Sequence, residues 1–206
     1  MQTRGPGDVE KREALILGAS PRIAPLGPGE FGKEAMELVK EMRAAISLPP
    51  VEKIPDFNAT MLRHPDLYRA HSDLALVLFK GALSRRDRQL AILRIGWLCQ
   101  APFEWGVHVR IGKATCGLTP EEIDWITVGS SARSWGEHDR AILRAVEELF
   151  EDAMISDETW EVLAKTHDDA QLLELPILVG QYQGVAYLQN SLRLRLPADN
   201  AGLRAR

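Results

Sequence analysis

Helix-start signals recur along most of this chain, and no segment alternates apolar and polar residues as a half-buried strand would. Ser84 and Ser156 each stand before a stretch of helical periodicity, and Thr119 is followed by Pro120, a residue suited to the first helical turn. The Asn-Gly and Asp-Gly pairs that mark tight β-hairpins are absent. The sequence therefore predicts an all-α protein of about eight helices.

The predicted helices are bounded by capping residues, prolines and glycines. They cover residues 30–46, 65–81, 85–100, 102–117, 120–127, 134–150, 157–163 and 168–192, with a short helical turn at 58–63. Ser134 and Glu137 are expected to form a capping box at the start of one helix. Asp168 or Asp169 begins the last helix, which contains Pro176.

Two of these helices are unusually apolar. The helix over residues 85–100 is apolar around much of its girth, which predicts a central position. The last helix is apolar on nearly every face, so we expect it to be buried in the monomer or against another subunit. Gly180 and Gly184 lie four residues apart within it and predict tight packing against another helix.

The domain organisation is predicted from the distribution of Gly, Pro and charge. A single helical domain is expected over residues 30–195, because no linker or low-complexity segment interrupts it. Residues 1–29 predict a partly ordered N-terminal arm, in which Ala14–Leu17 forms either a strand or one helical turn. Residues 196–206 are expected to be a C-terminal tail.

Charge and composition exclude several classes of partner. The formal net charge is −4 and the basic residues are scattered, so we expect no nucleic-acid partner. No run approaches the 18 or so apolar residues of a membrane span, and the N-terminus lacks the apolar core of a signal peptide. Two cysteines are too few for a disulfide framework, which favours a cytoplasmic location.

Glu104 and His108 are the pair most suited to chemistry. On a helix, residues four apart lie on one face, roughly 5–6 Å apart at Cβ. A carboxylate beside an imidazole can hold one ring N–H and leave the other nitrogen to move a proton. The alternative is an ion pair that adds a few tenths of a kcal/mol to a helix.

Three further residues are candidates for substrate binding. Arg94 lies within the predicted central helix, where a guanidinium needs an anion or several acceptors, so it forms either a structural ion pair or a site for a substrate carboxylate. Gln89 lies five residues earlier and could face the helix that carries Glu104. Trp105 could wall a pocket, although large aromatic side chains in helical proteins are more often core or interface.

Metal and thiol chemistry have weaker support. A zinc site needs at least three protein ligands, and the histidines at 64, 71, 138 and 167 lie in four different segments that no pattern brings together. We therefore expect no metal. Cys99 and Cys116 are 17 residues apart rather than in a Cys-x-x-Cys motif, which favours two inert thiols.

Leu83–Arg94, Phe103–His108 and Cys116–Ile123 form a connected series of motifs, with Glu-Trp-x-x-His and Gly-Leu-Thr-x-Glu-Glu-Ile as their most specific parts. Together they resemble the carboxymuconolactone decarboxylase family, which belongs to the alkylhydroperoxidase D-like superfamily. The resemblance covers roughly residues 20–195. It implies an all-α alkylhydroperoxidase D-like fold that assembles as a homotrimer or homohexamer.

The resemblance also separates two kinds of chemistry. Peroxidase members carry Cys-x-x-Cys with a histidine four residues later, and this chain has Ala101 and Glu104 at the cysteine positions before His108. Those members also place a glutamate where this chain has Gln89. Three of the four parts of the thiol relay are therefore missing, which disfavours peroxidase activity.

Decarboxylase members act without a metal or organic cofactor on a carboxylated lactone from aromatic-acid catabolism. The resemblance thus implies a cofactor-free carbon–carbon lyase with a small carboxylated substrate. In this role His108 would move a proton at the carbon that loses carbon dioxide, Glu104 would orient His108, and Arg94 would hold a carboxylate. A peroxidase that uses Cys99 or Cys116, and a non-catalytic oligomeric binding protein, are the alternatives.

Overall fold

Ten α-helices and one short 3-10 helix form the regular structure of the described residues, which are 6–27, 29–45 and 54–206 of a computed structural model. The helices are α1 (Pro6–Leu17), α2 (Lys33–Ala45), α3 (Asp56–Met61), α4 (Pro65–Phe79), α5 (Arg85–Leu98), α6 (Pro102–Cys116), α7 (Pro120–Val128), α8 (Glu137–Asp152), α9 (Asp157–Leu163) and α10 (Asp169–Leu192). The 3-10 helix is Gly202–Arg204. The predicted all-α class is confirmed.

The chain divides into two compact units. One contains α1 and the residues from Ala82 to the C-terminus, and the other runs from Ser20 to Gly81 with α2, α3 and α4. This division differs from the predicted one, which placed a single domain over residues 30–195. In the second unit, α2 and α3 both pack against α4, where Tyr68 and Leu78 are buried.

The first unit is built around α5. Eleven of its 14 residues are buried, and α6, α7, α8 and α10 all pack against it. A helix that is apolar around most of its circumference loses the most water-exposed apolar surface when neighbours enclose it. The predicted central position of this helix is therefore confirmed.

Side-chain caps explain where α4, α5, α7, α9 and α10 begin. The Ser84 hydroxyl accepts a hydrogen bond from the Asp87 N–H at 3.0 Å, and Thr119 with Glu122 forms a reciprocal capping box. Asp168 and Gln171 form a second capping box, so the last helix begins after Asp168. These contacts are local in sequence, which is why the pattern of residues predicts them.

One predicted helix start is wrong. Ser134 does not cap α8, which begins at Glu137 after Gly136 and has no side-chain cap. The Arg140 guanidinium donates to the carbonyl oxygens of Ala132 and Trp135, and the Trp135 indole donates to the Gly129 carbonyl. These bonds hold the preceding segment as a turn, so Ser134 stays outside the helix.

Both chain ends contain regular structure where an arm and a tail were predicted. Ala14–Leu17 lies within α1 and is helical. Glu13 on α1 is buried, and its carboxylate accepts a hydrogen bond from the Leu203 N–H at 2.7 Å and pairs with Arg204. The 3-10 helix also packs against α6. The two termini of the described chain are therefore held together in the first unit.

The last helix is buried on one side and exposed on the other. Leu175 and Leu178 are buried, whereas Leu173 and Ile177 are 71% and 55% exposed. Gly180 and Gly184 lie on the exposed side, and a Cβ added at either would meet no described atom within 4 Å. The predicted tight packing at these glycines is therefore wrong within the described chain. None of the described helices has the length and hydropathy needed to span a bilayer.

The capping box of α10 gives a prediction about stability. Replacing Asp168 by Ala removes the side chain that accepts from the Gln171 N–H, so we expect a loss of about 1 kcal/mol in the free energy of unfolding. The matched control is Asp169→Ala, one residue later, which we expect to stay within about 0.5 kcal/mol of the parent. Urea denaturation measures both, and equal losses would contradict Asp168 as the cap.

Candidate active site

Glu104 and His108 face each other inside the first unit. Pro102 occupies the first position of α6, and Glu104 lies in the first turn of this helix. The Glu104 Oε1 lies 3.0 Å from the His108 Nε2, and both residues are buried. The predicted pair therefore lies on one helix face. Because both residues are buried, it is not an exposed helix ion pair.

The Gln89 side chain on α5 contacts both the ring and the backbone of His108. Its Nε2 lies 2.7 Å from the His108 carbonyl oxygen, an atom that can only accept, so the amide nitrogen is on that side. The same nitrogen is 3.0 Å from the His108 Nδ1, which therefore accepts. His108 is then the neutral tautomer whose Nε2–H donates to Glu104.

Two residues of α10 complete the site. The Gln189 Nε2 donates to the Glu104 Oε2 at 2.6 Å, so each oxygen of the buried carboxylate has a donor. The Tyr182 ring meets the His108 ring edge to face, with centroids 5.2 Å apart. The sequence analysis missed both residues. They are seven residues apart and so lie on one face of a largely apolar helix, a pattern that could have identified them from the sequence.

The surroundings of the Tyr182 phenol keep it protonated. Burial, together with the negative charge of Glu104, raises the pKa of the Tyr182 phenol, while the positive charge of Arg88 opposes the shift. Tyr182 is therefore a hydrogen-bonding and packing group at neutral pH, and it does not act as a phenolate.

Arg94 is not brought to this site. Its guanidinium Nη1 donates to the carbonyl oxygens of Ile126 and Thr127 at the end of α7, at 2.9 and 3.0 Å. Its Nη2 pairs with the Glu147 Oε1 on α8 at 2.8 Å. Burial lowers the pKa of this guanidinium, and the Glu147 charge acts in the opposite direction. The structure thus matches the ion-pair alternative for Arg94 rather than an open carboxylate site.

Gly129 permits the close approach of this ion pair. Its φ is +93°, and an added Cβ would lie 2.1 Å from a Glu147 oxygen and 2.3 Å from an Arg94 nitrogen. Glycine adopts positive φ without the steric penalty of a side chain. The turn after α7 can therefore close over the pair only with glycine at this position.

Trp105 also points away from Glu104 and His108. It is fully buried, its indole Nε1 donates to the Ala205 carbonyl at 3.2 Å, and its ring packs against Trp97 with centroids 4.9 Å apart. Gly106 beside it lets Asn200 approach α6, where the Asn200 amide donates to the Phe103 carbonyl. This face of α6 therefore anchors the C-terminal segment.

The two thiols are separate and outside the Glu104 and His108 pair. Both cysteines are free, and burial raises the pKa of the Cys99 thiol to about 12. The Cys116 Sγ is half-buried and donates to the Arg85 carbonyl at 3.3 Å. A thiol that stays protonated is a poor nucleophile, so Cys99 is not poised for peroxide reduction.

Comparison with known proteins agrees with this architecture. Residues 65–148 match the model of the carboxymuconolactone decarboxylase family, and no curated protein matches the chain. An uncharacterised peroxidase-related protein from Silicibacter sp. TM1040 has a TM-score of 0.71 at 12% identity, covering 88% of this chain and 95% of its own.

Two further solved structures share the fold. An uncharacterised peroxidase-related protein with an alkylhydroperoxidase AhpD core, from Ralstonia eutropha JMP134, has a TM-score of 0.69 at 16% identity and covers 88% of this chain and 95% of its own. The debrominase Bmp8 has a TM-score of 0.64 at 15% identity, with coverages of 87% and 94%. At these identities the similarity establishes an AhpD-like helical fold.

The buried ion pair of Arg94 gives a second prediction. Glu147→Gln keeps the hydrogen-bonding shape but leaves the guanidinium without a counter-charge, so we expect about 3 kcal/mol less stability. Glu151→Gln on the same helix is the control, because Glu151 acts on Arg94 only at a distance; its change should stay within about 0.5 kcal/mol. Similar unfolding midpoints in urea for the two variants would argue against this role of Arg94.

Proposed function

We propose that this chain is a cofactor-free carbon–carbon lyase of the carboxymuconolactone decarboxylase and AhpD-like superfamily. Its substrate would be a small carboxylated lactone or ring compound from aromatic-acid catabolism. The observation that carries the proposal is a buried, hydrogen-bonded Glu104 and His108 pair at the positions where a thiol relay would need a cysteine and a histidine. Such a pair suits proton transfer rather than thiol redox chemistry.

Decarboxylation requires one proton at the carbon that loses carbon dioxide. The bond between that carbon and the carboxylate breaks, carbon dioxide leaves, and the electron pair stays on the ring as an enolate conjugated with a carbonyl group. The proton, taken from solvent by the His108 Nδ1, is delivered to the same carbon. Glu104 holds the Nε2–H of His108 and stabilises the imidazolium that exists between the two proton transfers.

Gln89 and Gln189 position this pair. Gln189 holds the second oxygen of Glu104 and so determines where the first oxygen points. Gln89 covers the His108 Nδ1, and it can release that nitrogen while keeping its 2.7 Å bond to the His108 carbonyl oxygen. Substrate entry would therefore exchange one hydrogen bond of Gln89 without unfolding α5.

Arg88 replaces Arg94 as the proposed partner of the substrate carboxylate. It lies next to Gln89 on α5, is half-buried, and carries a charge that acts on the Tyr182 phenol. A guanidinium at that place would bind a carboxylate and lower the barrier to its approach beside Glu104. The Nη1 and Nη2 groups of Arg94 serve the end of α7 and Glu147.

A non-catalytic binding protein is the second candidate. Both ring nitrogens of His108 already have hydrogen-bond partners, which is the arrangement of a structural histidine. A cavity of about 170 Å³ in the first unit is lined by α8 and α9 residues, among them Arg144 and Glu158, and excludes Glu104 and His108. Turnover of any carboxylated substrate that depends on His108 would remove this alternative.

The activity test is a screen of carboxylated lactones and aromatic-pathway acids that follows carbon dioxide release. We expect His108→Ala to lower kcat/KM by about 10²–10⁴-fold, the usual contribution of a general acid or base. Glu104→Gln keeps the shape of the pair and should lower kcat with little change in KM. Circular dichroism and native mass establish that both variants are folded.

The control for thiol chemistry is the double variant Cys99→Ser and Cys116→Ser. It should retain the activity of the parent, because neither thiol contacts the Glu104 and His108 pair. Full activity in His108→Ala would contradict the lyase proposal. Peroxide consumption that disappears in the double variant would replace it with a thiol peroxidase.

We also propose that the protein assembles as a homotrimer or homohexamer. The exposed side of α10 supports this, because Leu173, Ile177 and Tyr187 are each more than half exposed there. Sedimentation velocity should give three or six chains for the parent, and Ile177→Glu should shift the mass towards the monomer. Met154→Glu, at an exposed apolar side chain outside α10, is the control. A monomeric parent would refute the proposal.

A further inference from the structure

Three potential metal ligands meet on a face of α5 that differs from the face of Gln89. Asp87 is two residues before Gln89, and residues two apart on a helix point to opposite sides. His138 comes from the first turn of α8, and His167 comes from the residue before the cap of α10. The ligand atoms of these three residues all lie within 4.8 Å of one another.

The distances within this trio match a shared cation. The His138 Nε2 is 2.9 Å from one oxygen of Asp87, and the His167 Nε2 is 3.5 Å from the other. Ligand atoms bound to one zinc ion at about 2.0–2.2 Å each are roughly 3.3–3.6 Å apart in a tetrahedral arrangement, so the 3.5 Å contact fits and the 2.9 Å contact has to open by a few tenths of an ångström. The trio therefore needs little rearrangement to hold a metal.

The hydrogen bonds of His167 leave its Nε2 as a lone pair. Its Nδ1 is 3.2 Å from the Leu163 carbonyl oxygen, which can only accept, and 3.2 Å from the Thr166 hydroxyl, so a proton on Nδ1 would serve both contacts. The Nε2 has no hydrogen-bond partner among the described residues, and the side chain is only 1% exposed. A buried lone pair thus faces a carboxylate oxygen, and a cation between them would satisfy both.

The two imidazole rings are held in parallel. Their planes differ by 3° and their centroids are 5.1 Å apart, so both Nε2 atoms point to the same carboxylate. The His138 Nδ1 is 3.1 Å from the Thr166 hydroxyl, which orients that ring from behind.

The nearby positive charge of Arg86 does not oppose a cation at Asp87. Arg86, next to Asp87, pairs with Asp139 at 2.7 Å and with Glu122 at 2.6 Å, so its positive charge is compensated. The His138 side chain is 38% exposed and gives the site an open side towards solvent. A metal ion could therefore enter from that side and keep water in the remaining coordination position.

We propose that Asp87, His138 and His167 form a binding site for one divalent transition-metal ion of the Zn²⁺ type. Two imidazole nitrogens and one carboxylate favour such ions, while Ca²⁺ and Mg²⁺ prefer oxygen ligands. The Leu163 carbonyl and the Thr166 hydroxyl hold the opposite ring nitrogens, as partners behind metal-bound histidines do. The ion would tie α5, α8 and the α9–α10 connection together.

The test uses the full chain after removal of metals with a chelator. Titration with Co²⁺ should give visible d–d absorption bands that saturate at one ion per chain, and Zn²⁺ should abolish them by displacement. Zn²⁺ should also raise the thermal unfolding temperature, because it binds the folded state. Absence of saturable Co²⁺ binding would overturn the proposal and leave a network held by protons alone.

The variants locate the ion. His138→Ala is the main variant, because this half-exposed side chain can be removed without opening the core. It should weaken Co²⁺ binding at least about tenfold, as should Asp87→Asn. His64→Asn is the matched control, since His64 belongs to the second unit, where it caps α4, and Asn also caps helices well. Unchanged binding in His138→Ala, or equal loss in His64→Asn, would refute the site.

Discussion

The enclosure of α5 is the constraint on which the first unit depends. Eleven of the 14 residues of this helix are buried, so its polar side chains lie where they cannot form hydrogen bonds to water. Each therefore needs partners from another element, and each finds a different one: His138 and His167 for Asp87, His108 for Gln89, and Glu147 for Arg94. Apolar contacts enclose α5, and these polar pairs determine which face each neighbouring helix presents to it.

The polar clusters around α5 differ in how completely they are satisfied. The Arg94 cluster has a counter-charge and two carbonyl acceptors, which is the composition of a structural ion pair. Around Glu104, both carboxylate oxygens have donors, yet one nitrogen of His108 is covered only by an amide that has a second acceptor. At Asp87, the Nε2 of His167 has no donor within the part of the chain that the structure describes. Chemistry is expected where a buried group is held but can still exchange a partner.

The clusters at His108 and at Asp87 are suited to different roles. Proton transfer needs the neutral tautomer that Glu104 and Gln89 select together, and it needs no metal. The trio at the N-terminal turns of α5 and α8 lies on a different face of α5 and would act by linking elements. Arg86 and Asp139 already join the same two turns, so an ion at Asp87 would reinforce an existing contact.

The sequence predicted the helices well because their determinants are local. Caps such as Ser84, Thr119 and Asp168 bond within four residues, and apolar periodicity reports which faces are buried. The Ser134 capping box failed because a distant contact decided the outcome, as Arg140 holds the preceding segment in a turn. For the site, the spacing of Glu104 and His108 was informative, since one helix positions both residues.

The partners of those residues were decided by tertiary structure alone. Gln189 is 85 residues from Glu104, and His138 is 51 residues from Asp87, so no local pattern relates them. Arg94 and Gln89 share a helix, yet packing turns one towards α8 and the other towards α6. The sequence by itself determined that this chain is all-α and that Glu104 and His108 form a pair. Only the packing of α10, α8 and α6 around α5 decided which polar groups surround that pair, because burial forces each to find its partner in space.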